Sequence, residues 1–361
     1  MRVLAFLPYR YDTVPGQRFR IEQWERVLRE KGVEVRFETF ESDELRRVFY
    51  ASTDRWRQVQ AFARCIARQV RCIARLRREW DAVFLFRELL PIGPAWLERW
   101  LARKGMPIVY DFDDAIFLAG VSDANRAFAW LKAPRKTGAI CRLSAHVTVG
   151  NEYLKAYAER FTPNVSVIPT TIDTERYTPK AHVEISGVPV IGWSGSFSTA
   201  KHLQTVVPAL RRLRRSVAFR LSVIGSPGFR ADGLEVTSRP WSAATETEDL
   251  KTFDLGIMPL PDDPWARGKC GLKALQYMAL GIPTVASPVG VNKTIIQDGR
   301  NGFLASTAAE WVATLSRLLV DPALRRRFAE EGRRTVEERY AATGQARRLL
   351  DVFQRVVRHV S

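Results

Sequence analysis

The chain has 361 residues, 46% of them hydrophobic, and carries 56 Lys+Arg against 39 Asp+Glu, a formal net charge of +17. That length suits two ordinary domains, each able to bury a core, and 26% charged residues with unremarkable Gly and Pro content exclude disordered, collagen-like and coiled-coil chains. The basic excess leaves three partner classes open: nucleic acid, an anionic membrane surface and a phosphorylated substrate.

The chain starts MRVLAFLPYRYD, a short apolar run broken by Pro8 and Arg10 with no small-residue cleavage site, so it is not read as a signal peptide. No run approaches 18 uninterrupted apolar residues, so no bilayer-spanning helix is expected. Apolar strands are predicted at 2–8, 33–40, 82–88, 107–114, 145–150 and 165–170, separated by helices over 16–31, 43–79, 94–104 and 123–142. Strands apolar throughout are buried on both faces, which means a parallel sheet flanked by helices. The polar, Pro-bearing stretch 171–189 reads as a linker. The alternation then restarts, with strands at 189–195, 219–225, 234–241, 255–261 and 283–290 and helices over 199–214, 245–253, 269–280, 307–319, 321–338 and 341–359.

The expected architecture is α/β, two doubly wound parallel-sheet domains facing a cleft, where ligands of such sheets bind. Residues 1–180 form the first, 181–340 the second, and 341–361 a helix packing back towards the first. Cys65, Cys72, Cys141 and Cys270 have no Cys-x-x-Cys spacing and no nearby His, and read as reduced packing residues in a cytoplasmic chain.

The most informative stretch is 254–304. Gly268 and Gly271 bracket Lys269 at a strand-to-helix turn, and Lys273 lies in the first turn of the next helix. Free backbone N–H groups, the positive end of the helix dipole and two ammonium groups would converge there, which suits a pyrophosphate. A glycine-rich turn with solvated lysines would carry the same residues.

MALGIPTVASPVG followed by IIQDGRNGFLA, together with IPTTIDTERYTP (168–179), IGWSGSFSTAKHL (191–203) and PGQRFRIEQWERVLREKGVEV (15–35), resembles the retaining nucleotide-sugar glycosyltransferases of the GT-B fold, glycosyltransferase family 4 (group 1). Almost the whole chain is covered in the family's order. The resemblance implies an N-terminal acceptor-binding domain and a C-terminal donor-binding domain, both Rossmann-like, that close on each other. It implies a UDP- or GDP-type nucleotide sugar as co-substrate, with no resident cofactor and no metal. The donor set it implies is Gly16, Gln17, Gly195, Ser196, Lys201, Gly225, Lys269, Cys270, Gly271, Leu272, Lys273 and Gln276. Lys201 matches the family lysine that meets the diphosphate, and Gly16 the glycine that closes over the phosphates.

Three departures stand out. The turn after the first strand of the second domain reads Trp193, Ser194, Gly195, Ser196 where the family commonly has an arginine; Lys269, Lys273 and Arg267 are candidates for the missing charge. The family's two glutamates align with Gly268 and Gln276. Gln276 retains an amide for the ribose hydroxyls, while Asp262 or Asp263 would substitute for the other carboxylate. Where many members carry a histidine-aspartate pair, YDFDDAIF (110–117) presents Asp113 and Asp114, candidates for orienting the acceptor hydroxyl, taking its proton or stabilising the anomeric carbon. Asp114 equally suits a helix N-cap, and Asp111, Asp113 and Asp114 together admit a metal reading that the resemblance does not need.

Residues 45–80 hold ten arginines, no lysine, one Asp and one Glu. Phe62, Ile66, Val70, Ile73 and Leu76 recur at helical spacing, giving an apolar face with an arginine-rich face opposite. This is a solvated outer helix or an attachment to anionic lipid, which would place the enzyme peripherally on the cytoplasmic face of a membrane. Arg18, Arg20 and Arg87, the last beside Glu88, are candidates for lining the acceptor site. The function implied is transfer of a sugar to a hydroxyl of a glycan or lipid-linked glycan with retention, in cell-envelope polysaccharide or glycolipid synthesis. Alternatives are a non-catalytic glycosyltransferase-like binding subunit and a basic nucleic-acid-binding protein. Against the last, no nucleic-acid motif is visible and the basic residues are not interleaved with aromatics.

Overall fold

A computed structural model describes residues 1–51, 54–76, 79–118, 135–181, 185 and 187–358. The chain folds as two compact units, the first made of Met1–Pro169 with Thr343–Ser361 and the second of Thr170–Ala342.

In the first unit β1 (Arg2–Leu7), β2 (Glu34–Thr39), β3 (Ala82–Phe86), β4 (Ile108–Phe112), β5 (His146–Val149) and β6 (Val165–Val167) form one sheet of order β2-β1-β3-β4-β5-β6. Every pairing is parallel. All residues of β3 and β4 are buried, as their unbroken apolar runs require of central strands covered on both faces. Each such large apolar side chain contributes about 1.5–3 kcal/mol by leaving water. The chain leaves β1 for β2 on one side and returns to β3 on the other, so the strand order reverses between β1 and β3. Ligands of open α/β sheets bind beyond the strands' carboxyl ends at such a reversal.

The second unit repeats the plan with β7 (Val190–Ser194), β8 (Arg220–Ile224), β9 (Val236–Arg239), β10 (Leu255–Met258), β11 (Thr284–Ala286) and β12 (Phe303–Leu304). The order β12-β11-β10-β7-β8-β9 is again wholly parallel, with its reversal between β7 and β10. Here the loop after β7 holds Gly195 and Ser196, and the loop after β10 leads to Lys269.

Several elements differ from the sequence expectation, each for a local reason. The helix expected over 16–31 is broken: Phe19 (φ −83°, ψ 18°) and Arg20 (φ −128°, ψ −122°) leave helical geometry before the helix Gln23–Glu30. The long basic helix is two, Asp43–Ala51 and Arg55–Ala74, the second capped by the Asp54 carboxylate, which accepts from the Trp56 and Arg57 amides at 3.0 and 3.2 Å. The helix over 199–214 divides into Ala200–Gln204 and Val207–Arg214, with Pro208 in the first turn of the second, where its missing N–H costs nothing. Of the helix expected at 123–142, Arg135–Leu143 is formed, and 119–134 lie outside the described residues.

The stretch expected as a linker is built into the second unit. The Ile172 amide donates to the Tyr340 carbonyl at 2.8 Å, the Ala342 amide donates to the Ile172 carbonyl at 2.9 Å, and Arg333 donates to the Thr174 carbonyl at 2.9 Å. The last helix, Ala342–Arg358, buries Leu349, Val352 and Phe353. Phe353 meets Phe84 of β3 edge-on, their rings 6.2 Å apart, which joins this helix to the first unit.

Candidate functional site

In the second unit the turns after β7 and β8 pack backbone against backbone. The Gly195 amide donates to the Ile224 carbonyl at 2.9 Å, and a Cβ on Gly225, whose φ is +88°, would stand 2.4 Å from the Gly195 oxygen. Glycine is the residue that fits. The Tyr277 hydroxyl accepts from the Ser194 amide at 2.9 Å and so ties the end of β7 to the helix Leu272–Ala279. That helix begins at Gly271 (φ +72°), where a side chain would run into Ile295 at 2.2 Å.

Lys273 lies in the first turn, with its Nζ 5.3 Å from the centre of the Trp193 ring. Lys201 is exposed, and Lys269 and Leu272 are half-buried beside buried Gly268 and Cys270. The three lysines act on one place. Buried His202 has its imidazole pKa pushed down to about 4, first by burial and then by the fields of Lys269, Lys273 and Lys201. Lys269 and Lys273 are local neighbours in sequence; the fold adds Lys201, from the segment after β7, together with a helix start and two glycine turns, an arrangement suited to an anion.

Gln276 is not available to a ribose as the sequence suggested. Its side chain is buried and its amide donates to the Tyr177 hydroxyl at 3.0 Å and to Glu246 at 3.2 Å. Glu246 also accepts from the Tyr177 hydroxyl at 2.6 Å and the Trp241 indole at 2.8 Å. Tyr177 lies within the stretch 168–179 but nothing there singles it out, and no motif marks Trp241 or Glu246, because the network joins residues from three separate segments. The proposed substitutes for the missing glutamate are also engaged: Asp263 caps the helix Pro264–Arg267 through the Ala266 amide at 2.7 Å, and Asp262 pairs with Arg267 at 2.7 Å.

In the first unit, the strand-order reversal is occupied by a guanidinium and two carboxylates. Arg87, immediately after β3 and at φ +60°, donates from Nε and Nη2 to Asp113 at 3.0 and 2.7 Å, and from Nη2 to Asp114 at 2.8 Å. Burial alone would lower the Arg87 pKa, but Asp113 and Asp114 hold it above the ordinary arginine value. Asp114 is therefore a partner of Arg87 as well as a strand-end residue. Gly16 lies over this pair: a Cβ there would stand 2.5 Å from Asp113 Oδ2 and 3.0 Å from Arg87 Nη2.

Arg18 and Arg20 do not line an open site. Arg20 is fully buried, bound through both guanidinium edges to Asp111 and to the Ile168 carbonyl; Arg18 is 5% exposed and pairs with Asp12 at 2.6 Å. With Asp111 held by Arg20 and the other two by Arg87, the three aspartates do not form a metal-ligating group among the described residues.

Gln17 likewise turns inward, donating to the Tyr9 and Arg10 carbonyls at 3.0 and 3.3 Å and to Glu22, and accepting from the Tyr9 amide at 3.2 Å. Glu22 accepts from the Asp12 amide at 2.9 Å. Burial pushes its carboxyl up to about 7, against the lowering effect of the Gln17 and Asp12 hydrogen bonds. A folded-state pKa above the unfolded one means the folded chain holds an extra proton between about 4.5 and 7. The associated stability is full below that window and is lost as pH rises through it. Denaturant titrations from pH 4.5 to 8 should therefore show a negative slope from this group, flattened in Glu22→Gln by on the order of 1–3 kcal/mol across the window.

Residues 188–321 match the family model for glycosyl transferases group 1. The chain is 28% identical over 309 residues to D-inositol 3-phosphate glycosyltransferase of Actinosynnema mirum, covering 72% of this chain and 71% of that one. Among solved structures, sucrose-phosphate synthase from Thermosynechococcus elongatus superposes with a TM-score of 0.72 at 16% identity over 99% of both chains. Anabaena Alr3699/HepE in complex with UDP-glucose superposes with a TM-score of 0.65 at 14% identity over 98% of this chain and 99% of that one.

Proposed function

We propose that this chain is a glycosyltransferase whose donor, a nucleoside-diphosphate sugar, is held by the second unit; the group 1 family match over residues 188–321, the D-inositol 3-phosphate glycosyltransferase relative and the two parallel sheets support this reading. The observation that carries this reading is the convergence of Lys201, Lys269 and Lys273 on His202, beside the glycine turns that follow β7 and β8 and the start of the helix Leu272–Ala279. The leaving diphosphate gains one further negative charge as the bond from the anomeric carbon to its oxygen breaks, and fixed ammonium groups and helix N–H groups stabilise that charge without reorganising. Gly195 and Gly225, whose own amides are spent on Ile224 and Arg239, permit close approach of a ligand to the backbone, and the start of the helix Leu272–Ala279 supplies N–H donors.

The acceptor is a hydroxyl of a glycan or lipid-linked glycan; the name of the Actinosynnema mirum relative also favours a hydroxyl on a phosphorylated polyol. In the step proposed, the acceptor oxygen bonds to the anomeric carbon as the bond from that carbon to the diphosphate oxygen breaks. The hydroxyl proton passes to the departing phosphate, and configuration is retained. The Asp113–Arg87–Asp114 constellation orients polar groups in the first unit; with both carboxylates already paired, it positions and does not act as a free base. No resident cofactor or metal enters this scheme.

The UDP-glucose complex of the Anabaena neighbour favours a uridine donor over a guanosine one. A thermal-shift series with UDP, GDP, ADP and their sugars tests the reading. A ligand at 100 times its Kd stabilises by about 2.7 kcal/mol, a shift of several degrees, and this is expected for one nucleotide family at millimolar concentration. No shift with any nucleoside diphosphate would sink the proposal.

A further inference from the structure

On the helix Arg55–Ala74, Ala61, Cys65, Gln69 and Ile73 are buried, Ala61 and Cys65 packing with Phe40 and Leu45, and Phe62 and Ile66 pack partly buried against the same cluster, as the sequence pattern suggests. Val70, expected inside, is 37% exposed. Trp56, Val59, Ala63, Ala67, Val70 and Ala74 are all exposed and spaced three or four apart, so they form one stripe. Trp56 is 69% and Val59 58% exposed. Arg57, Arg64, Arg71 and Arg75 follow the same spacing along one border of the stripe. The helix carries five arginines and no acidic residue.

From this arrangement we infer that the exposed stripe is a membrane-docking surface, with Trp56, Val59 and Val70 entering the headgroup boundary of a bilayer and the bordering arginines meeting anionic lipid phosphates. The chemistry fits in three respects. An apolar face with a tryptophan and a cationic flank is the pattern of a helix lying in a membrane interface. Arginine stems extend along apolar surface while their heads stay at the phosphates. Arg57 and Arg64 are occupied only by the exposed carboxylates of Asp54 and Glu44, and exposed pairs of that kind hold their partners weakly. A second copy of the chain is the less suitable occupant, because the helix has no acid to answer its own arginines. A nucleic acid would not account for the bare Trp56–Val59–Val70 stripe. This inference stands apart from the donor reading, since it concerns another face of the first unit and needs no nucleotide.

The experiment is partitioning of the full chain onto vesicles of phosphatidylcholine alone or with 30% phosphatidylglycerol, a composition chosen for about −30 mV or more of surface potential. Binding is expected to the anionic vesicles only and to weaken with salt. Arg64→Gln with Arg71→Gln and Arg75→Gln should lower partitioning by on the order of 100-fold. Trp56→Glu with Val70→Glu should abolish it, while both variants keep the wild-type melting temperature and the wild-type response to nucleotides. Brominated lipid should quench a tryptophan signal that Trp56→Phe lacks. Binding indifferent to these substitutions, equal binding to neutral vesicles, a dimer that Trp56→Glu dissolves, or equal affinity for a single-stranded oligonucleotide would each overturn the inference.

Discussion

Lys273→Ala is expected to lower kcat/KM for sugar transfer by on the order of 10²–10³-fold, the scale on which one preorganised stabiliser of a developing oxyanion acts. The lysine is well suited to the part because its position is fixed from both ends. Its backbone belongs to the first turn of the helix Leu272–Ala279, whose start is set by Gly271 and whose Tyr277 is bonded to the end of β7. Its ammonium lies over the Trp193 ring. Lys201, exposed on a five-residue helix, is held less firmly, and its alanine variant should lose less. The loss should fall chiefly on kcat, since the charge on the leaving diphosphate grows as the bond breaks. Folding should change little, because a half-exposed cation over an aromatic ring contributes about 0.5–1 kcal/mol. Initial-rate kinetics with the donor found by thermal shift give the split directly. A variant with wild-type kcat and KM would remove Lys273 from the leaving-group site.

The predictability of that cluster from sequence and the unpredictability of its neighbours have the same physical origin. Gly268, Lys269, Gly271 and Lys273 lie within six positions, so a strand-to-helix turn brings them together whatever the rest of the fold does. The strands were equally readable, because a strand covered on both faces must be apolar at every position; β12, with Phe303 and Leu304 alone, is too short to show this. Gln276 was misread for the opposite reason. Its partners Tyr177 and Glu246 lie 99 and 30 positions away, and nothing local distinguishes an amide facing a ligand from one facing a buried carboxylate. Arg20 repeats the lesson: within its segment it continues a helical pattern, while its buried partner Asp111 lies 91 positions on. The apolar face of the basic helix is legible at Phe62, Ile66 and Ile73, which turn inward wholly or in part, and only Val70 departs, because Gln69 takes the inward position of its turn. Asp111 did carry a usable signal. A carboxylate inside an apolar strand must find a cation, though nothing local says which of the chain's arginines supplies it.

Arg87→Ala should cost more than any other single substitution in the first unit's site, because it strands two carboxylates at once. The side chains of Asp113 and Asp114 are 9% and 25% exposed, and both are bound to the one guanidinium. Removing one partner of a buried ion pair typically costs about 3–5 kcal/mol, most of it from the charge left behind. Arg87→Lys should recover charge without the fork that reaches both aspartates, and so restore stability better than activity. Asp113→Asn with Arg87→Ala separates the two effects: if the destabilisation arises from stranded charge, the double variant should be more stable than Arg87→Ala alone. Because Gly16 closes over Asp113 Oδ2 within 2.5 Å of where a Cβ would stand, an aspartate released from Arg87 also displaces the loop that carries Gly16. Catalysis should then fall further than the lost stability accounts for, measurable as a drop in kcat at temperatures where the variant is still folded. A double variant no more stable than the single one, or an Arg87→Ala protein with wild-type melting and wild-type kcat, would show that the guanidinium is a bystander at this strand end.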